Sequence, residues 1–225
     1  TMSHLRFGDQ PIRSTYLIDE ADYIGCHVQA YVNQYDVLKG LRKGGNFVLN
    51  CIWTEEELES KLPAKMKRFI AENEINLYTI NATKIATEIG LGRRINMIMQ
   101  SAFFKLAEII PEDEAKDYLK ASIKKAYGKK GDKVVNMNFE AVERGMNSLV
   151  KINVPASWKD AEDSEVVETK KITDFVKNIM NPMNALEGDK LPVSAFNGIE
   201  DGTFPAGTAA YEKRGIASEV PEWET

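Results

Sequence analysis

Gly90 and Gly92 run straight into Arg93 and Arg94, and a long apolar stretch follows. A glycine-bearing turn at a helix start presents backbone N–H groups, and a guanidinium adds a planar fork of donors. This spacing therefore suits a phosphate or another anion. The same residues also read as a glycine C-cap followed by solvated arginines. His4 lies between Ser3 and Arg6, and an imidazole titrating near neutral pH can relay a proton. The plain alternative is a strand edge whose arginine pairs with another domain. Asn136 and Asn138 can hydrogen-bond a ligand, or Asn138 can cap the next helix. Lys39, near a predicted helix C-terminus, reads as a complement to the helix dipole. Lys124, Lys125, Lys129 and Lys130 read as a solvated helix end, because a helix C-terminus repels anions. Met97, Met99, Phe103 and Phe104 read as core packing and not as a cofactor box.

Other chemistry is missing from the sequence. There is no dinucleotide-binding glycine fingerprint and no phosphate loop of the nucleotide-hydrolase type. The Gly-Asp pairs at 131–132 and 188–189 are each followed by Lys, so no Gly-Asp-Gly thiamine diphosphate signature exists. No iron–sulfur cysteine set occurs, the two histidines cannot build a His-rich metal site, and no Ser-His-Asp spacing stands out. Cys26 and Cys51 sit in apolar runs without a Cys-x-x-Cys pair, which predicts buried thiols in a reducing, cytoplasmic setting. The start, Thr1-Met2-Ser3-His4, does not read as a signal peptide. A net charge of −5 without clustered Lys and Arg argues against nucleic acid. No apolar run approaches the roughly 20 residues that span a bilayer.

The elements that position these residues alternate between strand and helix. Thr15–Ile18 and Tyr23–Cys26 read as buried strands or strand ends. Tyr31, Tyr35, Leu38 and Leu41 recur at a helical period over 30–42, with Gly44-Gly45 as the stop. Phe47–Ile52 reads as a strand. Thr54 and Glu57 form a capping box, and Pro63 opens a helix with Met66, Phe69 and Ile70 on one face. Leu77–Ile80 is a strand, and 82–89 a short helix stopped by Gly90. Residues 95–110 are apolar on nearly every side, with a thin polar stripe of Ser101, Lys105 and Glu108. Such a helix is buried centrally or covered by a partner. Pro111 starts a dipole-matched helix with Tyr118, Leu119 and Ile123 inward and Gly128 at its end. Another helix is expected over about 139–149, then a strand-like exit over 150–155.

The pattern predicts an α/β fold of three layers, α/β/α, with a mostly parallel or mixed sheet. A chain of 225 residues can hold one core plus an extended segment. After about residue 156 the character changes. Residues 159–171 are charge-rich, a short helix is expected over about 172–181, and beyond Pro182 scattered Gly and Pro give no sustained period. This reads as an extended C-terminal arm that packs on something else.

Several phrases carry more than periodicity. Ser3–Gly8 followed by Pro11–Ser14, Tyr35–Gly40, Ile89–Gln100, Lys133–Asn138 and Val154–Trp158 resemble the gamma region of single-chain pyruvate:ferredoxin oxidoreductases. Gly188–Ser194 and Tyr211–Gly215 are similar to the connector ahead of the ferredoxin-like domain. The resemblance covers essentially the whole chain. It implies residues 1–156 as a gamma-type α/β domain lacking its first strand–helix unit, and 157–225 as a connector. It implies part of an enzyme that decarboxylates pyruvate oxidatively, forms acetyl-coenzyme A and reduces ferredoxin or flavodoxin. Thiamine diphosphate, magnesium and iron–sulfur clusters are then expected in other domains, and the full enzyme as a homodimer. The gamma domain is implicated in binding coenzyme A. On that basis Arg94 and Asn96 become ligand contacts, Ser3, His4 and Arg6 line the active-site mouth, and Asn136 is a further hydrogen-bonding candidate. Arg93 stands where the family pattern usually has Gly. A purely structural interdomain module, or a related 2-oxoacid oxidoreductase, stays open.

Overall fold

The computed structural model describes residues 2–8, 10–163, 172–212 and 221. Four strands form one sheet in the order β1-β2-β3-β4: β1 Ala21–Cys26, β2 Leu41–Asn50, β3 Asn76–Ile80 and β4 Val150–Lys151. The first three are parallel, and β4 joins the far edge antiparallel. In register, Phe47 lies beside Ile24 and Leu77, and Val48 beside Gly25 and Tyr78.

Side-chain alternation along β2 explains the layers. Phe47 and Leu49 point into one core with Leu58, Met66, Ile70 and Trp158. Val48 points into the other, with Ile85, Ile98, Leu119 and Met146. Successive strand residues face opposite sides, so one strand seals two cores. Helices α1 (Glu55–Lys61) and α2 (Ala64–Glu72) cover the first face. Helices α3 (Ala82–Ile89), α4 (Asn96–Ala107), α5 (Glu112–Tyr127) and α6 (Asp132–Asn147) cover the second. This is the expected three-layer α/β arrangement with a mixed sheet.

Local signals hold well on the first face. The capping box forms: Glu57 N–H donates to Thr54 Oγ1 at 3.3 Å, and Thr54 N–H donates to Glu57 Oε2 at 2.9 Å. Thr54→Ala is expected to lower the unfolding free energy by about 1 kcal/mol, read from the urea midpoint, with Thr54→Ser close to wild type.

Other expectations are corrected. Thr15–Ile18 is not a strand; Tyr16 and Leu17 are each 67% exposed, and the segment has no sheet partner among the described residues. The helix expected over 30–42 shrinks to a single 3-10 turn, Gln29–Asn33, followed by turns. Strand β2 starts at Leu41, paired with Ala21 of β1, and passes through Gly44-Gly45, where the register with β1 shifts and Gly44 is held by Asn73 and Asn76 instead of stopping a helix. Ser101 is fully buried, with its hydroxyl donating to the Ile98 carbonyl at 2.8 Å, so it belongs to no wet stripe. Tyr118 is 62% exposed and faces out. Helix α5 does end at Gly128, and a short 3-10 turn at Gly128–Lys130 then leads to Gly131. Helix α6 begins at Asp132, earlier than expected. Asn138 is therefore not a cap: it is buried inside α6, and its Nδ2 donates to the Val134 carbonyl at 2.8 Å. Lys39 lies in a turn and ends no helix.

After β4, a 3-10 turn at Ala156–Asp160 lays Trp158 into the first core. Arg68 of α2 fastens the next residues, donating to the Ala161 carbonyl and pairing with Asp163 at 2.9 Å. The expected short helix appears as a π-helical turn, Val176–Met180, continuing into α7 (Asn181–Asn184). Beyond it the chain makes isolated 3-10 turns. Most of the charge-rich stretch (164–171) and residues 213–215 of the last connector phrase lie outside the described residues.

Candidate functional site

The turn between α3 and α4 begins at Gly90, which takes the left-handed conformation (φ 90°) that only glycine adopts freely. Its N–H donates to Thr87 O, and Leu91 N–H to Ala86 O at 2.8 Å. Buried Leu91 pins the turn. The chain then passes Gly92 (φ 61°) and enters α4. Ile95 occupies the N-cap without any side-chain cap, so the first N–H groups of α4 are uncapped by protein side chains. Arg93, Arg94 and Asn96 are all exposed there. No side-chain hydrogen bond or ion pair of Arg93 or Arg94 occurs among the described residues. Free guanidinium groups beside an uncapped helix start can hold an anion.

Asn136, exposed on α6, is the neighbour of Met137. The Met137 methyl lies 3.3 Å from where a Cβ at Gly90 would be. The turn and the first half of α6 therefore meet, although no hydrogen bond joins Asn136 to Arg94 or Asn96 among the described residues.

Ser3, His4 and Arg6 are elsewhere. Phe7 stacks on Phe103, ring centres 5.8 Å apart, and meets Phe104 at 6.3 Å. Those rings lie seven and eight residues along α4 from Asn96, about 10 Å at 1.5 Å per residue. His4 Nδ1 accepts from Ile18 N–H at 3.1 Å. Arg6 donates to the Tyr16 carbonyl and sits 4.1 Å over the Tyr16 ring. The structure thus separates the six candidate residues into two groups at opposite ends of α4.

A second polar concentration sits at the carboxyl ends of the parallel strands, where open α/β sheets commonly bind ligands. A cleft of about 290 Å³ there is lined by Cys51, Thr79, Asn81, Lys84, Glu88 and Arg144, among others. Buried Asn50, the neighbour of Cys51 in β2, ties these elements together: Nδ2 donates to the His27 carbonyl at 2.9 Å, and Oδ1 accepts from Ala82 N–H at 2.9 Å. Asn81 Oδ1 accepts from Lys84 N–H at 2.9 Å. The α3 N-terminus is thus already capped twice. Glu88 pairs with Arg144 at 2.5 Å and lies 3.9 Å from Lys84. Arg144 and then Lys84 hold its carboxyl below the usual range. Arg144 of this cleft is engaged by Glu88, whereas Arg93 and Arg94 of the 90–96 turn make no such pair among the described residues. Sequence reasoning missed both asparagines. Asn81 directly before a helical run was a readable cap signal; Asn50, reaching 32 residues along the chain, was not.

Neither cluster nor metal chemistry fits these residues. Among the described residues, no group of three His, Cys, Asp or Glu can hold a metal ion. Cys26 and Cys51 are buried, and burial pushes the Cys26 thiol up to about 11, so it stays protonated and is a poor ligand. No helix among the described residues is long and apolar enough to cross a membrane.

Comparison with known proteins adds the family. The chain is 61% identical over 225 residues to the pyruvate-flavodoxin oxidoreductase of Enterobacter agglomerans, covering 100% of this chain and 19% of that protein. It is 55% identical to the pyruvate:ferredoxin oxidoreductase of Moorella thermoacetica, again over 100% of this chain and 19% of the relative. The pyruvate dehydrogenase [NADP(+)] of Cryptosporidium parvum is 47% identical over 98% of this chain and 13% of its own. The chain therefore spans about a fifth of the length of the first two relatives. A crystal structure of the pyruvate oxidoreductase subunit PORC of Thermotoga maritima aligns with a TM-score of 0.48 at 17% identity, over 60% of this chain and 66% of that one. A domain of unknown function named EKR matches residues 161–217. The model described as pyruvate ferredoxin/flavodoxin oxidoreductase matches residues 1–148, and the chain belongs to that family.

Proposed function

We propose that this chain is the coenzyme A-holding part of an enzyme that converts pyruvate and coenzyme A to acetyl-coenzyme A and carbon dioxide. Two electrons pass to ferredoxin or flavodoxin, and the whole enzyme works as a homodimer. Residues 1–156 serve as the α/β domain and 157–225 as the connector, which contributes Trp158 to the domain's core. Thiamine diphosphate, magnesium and the iron–sulfur clusters belong to the remaining domains, consistent with the poor fit of this chain's cysteines and acids. The relatives' names and their full coverage of this chain support the reaction class.

One observation carries the coenzyme A reading. The α4 N-terminus is uncapped, and Arg93, Arg94 and Asn96 stand exposed beside it. Coenzyme A carries a pyrophosphate and a ribose phosphate, which suit such a site. Its bound thiol would be held near a reaction centre built by neighbours, so this chain supplies positioning while the cofactors supply the chemistry.

Isothermal titration of the 225-residue chain with coenzyme A tests this. Arg94→Ala is expected to weaken binding at least tenfold, about 1.4 kcal/mol. The chain alone, given pyruvate, thiamine diphosphate, coenzyme A and a viologen dye, is expected to show no turnover. A second reading, a structural interdomain module, is favoured by the openness of the turn, since Arg94 and Asn96 are exposed and do not line the cleft at the strand ends. Unchanged activity of the full enzyme carrying Arg94→Ala would select it.

A further inference from the structure

We infer that the cleft at the carboxyl ends of β2 and β3 is a binding site for a small monocarboxylate with a short apolar body. It is separate from the 90–96 turn, and the inference does not depend on the coenzyme A reading. The cleft holds about 290 Å³, at the small end of ligand pockets, and it lies where open α/β sheets bind ligands.

Its floor holds an unused polar group. Thr79 lines the cleft and is 7% exposed, yet its hydroxyl makes no hydrogen bond among the described residues. Among those residues no fully buried side-chain nitrogen or oxygen lacks a partner. The Thr79 hydroxyl is therefore not sealed in the core and opens into the cleft. A hydroxyl so deep and unpaired costs free energy, which an acceptor on a ligand returns. Asn81 and Ser148 line the same cleft. Asn81 Oδ1 is taken by the Lys84 N–H, which leaves the Nδ2 donors free. Several uncommitted donors thus surround one small volume.

Charge selects the ligand. Lys84 and Arg144 line the cleft with Glu88 as its one carboxylate, so two cations less one anion leave a net charge of +1. Arg144 gives one nitrogen to Glu88 at 2.5 Å, and a guanidinium keeps further donors. Lys84 lies 3.9 Å from Glu88 with its side chain 70% exposed. A single carboxylate balances this charge and accepts from Thr79 and Asn81. A phosphate dianion exceeds it and faces Glu88. The remaining wall is apolar: Trp53 is half-buried, and Ile52 and Val150 are 66% and 52% exposed. That wall suits a short aliphatic body on the carboxylate.

Titration of the 225-residue chain with isovalerate, its neutral amide and inorganic phosphate tests this. Isovalerate is expected to bind saturably by calorimetry, about tenfold tighter than isovaleramide or phosphate. It is also expected to change tryptophan fluorescence, and Trp53→Phe should abolish that change. Thr79→Val and Lys84→Gln are each expected to weaken isovalerate about tenfold, while Arg94→Ala leaves it unchanged. Lys84 is exposed, so its variant reads the site even where Thr79→Val disturbs the strand. The absence of saturable isovalerate binding overturns the inference. Equal or tighter binding of the amide or of phosphate does so too, as does an affinity indifferent to both cleft variants. Loss of isovalerate binding in Arg94→Ala also overturns it, since the cleft and the 90–96 turn are then one site.

Discussion

Gly145→Ala is expected to lower the unfolding free energy of this chain by about 3 kcal/mol or more, at the upper end for a methyl forced into a packed core. Helices α4 and α6 touch at this glycine. A Cβ there would lie 2.1 Å from Ser101 Oγ, 2.5 Å from the Ile98 carbonyl oxygen and 2.9 Å from the Ile98 Cα. Two of these three atoms are backbone, so no rotamer change relieves the clash, and the helices must move apart. The neighbours that would have to shift, Ile98, Val142 and Met146, are almost fully buried. Urea denaturation followed by circular dichroism measures the loss. Ser101→Ala in the Gly145→Ala background should recover only part of it, because the Ile98 backbone contact remains. A variant within about 0.5 kcal/mol of wild type, the usual surface range, would show that the α4–α6 approach is looser than described.

Trp158→Ala is the other large effect, expected to cost about 3–5 kcal/mol, as for other buried aromatics truncated to alanine. Trp158 is 2% exposed and packs in the first core with residues of α1, α2 and the sheet. Its indole N–H donates to the Glu59 carboxylate across 99 positions of sequence. The variant should also free the strap that Arg68 fastens at Ala161 and Asp163, and limited proteolysis should then cut near 160 first. Trp158→Phe keeps most of the apolar bulk and loses the donor, so its cost should be smaller. Its pH profile separates the two contributions. Lys67, and then Trp158, hold the Glu59 carboxyl below the usual range. A lowered native value contributes stability above the unfolded-state value, and that contribution disappears as pH falls through the native one. Trp158→Phe should therefore flatten the acid limb of the stability profile relative to wild type. An unchanged acid limb would show that the indole N–H does not support Glu59.

Much of this scaffold is legible locally. The run from Pro111 with Glu112, Asp113 and Glu114 first and Lys124 and Lys125 last announces α5, and the structure places those residues in its first and last turns. Gly90 announces the end of α3 and takes the left-handed conformation that ends it. The Thr54–Glu57 pair announces the α1 start, because both hydrogen bonds form within four residues. Such signals work because they depend on neighbours in sequence.

The failures share the opposite property. Tyr31, Tyr35, Leu38 and Leu41 have helical spacing, yet Leu41 opens β2 because β1 lies beside it. Ser101 looked wet and is buried because α6 brings Gly145 against it. Tyr118 looked buried and faces out, since Ala115, Leu119 and Ile123 already fill the α5 contact. The six candidate ligand residues shared no sequence cue to distance, and only the path of α4 set His4 and Arg6 apart from Arg94.

The sequence by itself determined the alternation of helix and strand, the caps, the family phrases and the lack of cluster cysteines, because each is written in residue types and short spacings. The tertiary structure alone decided which faces are wet, where the sheet ends and which polar groups stand together. Those properties depend on partners brought in from thirty to a hundred residues away, and no local pattern records them.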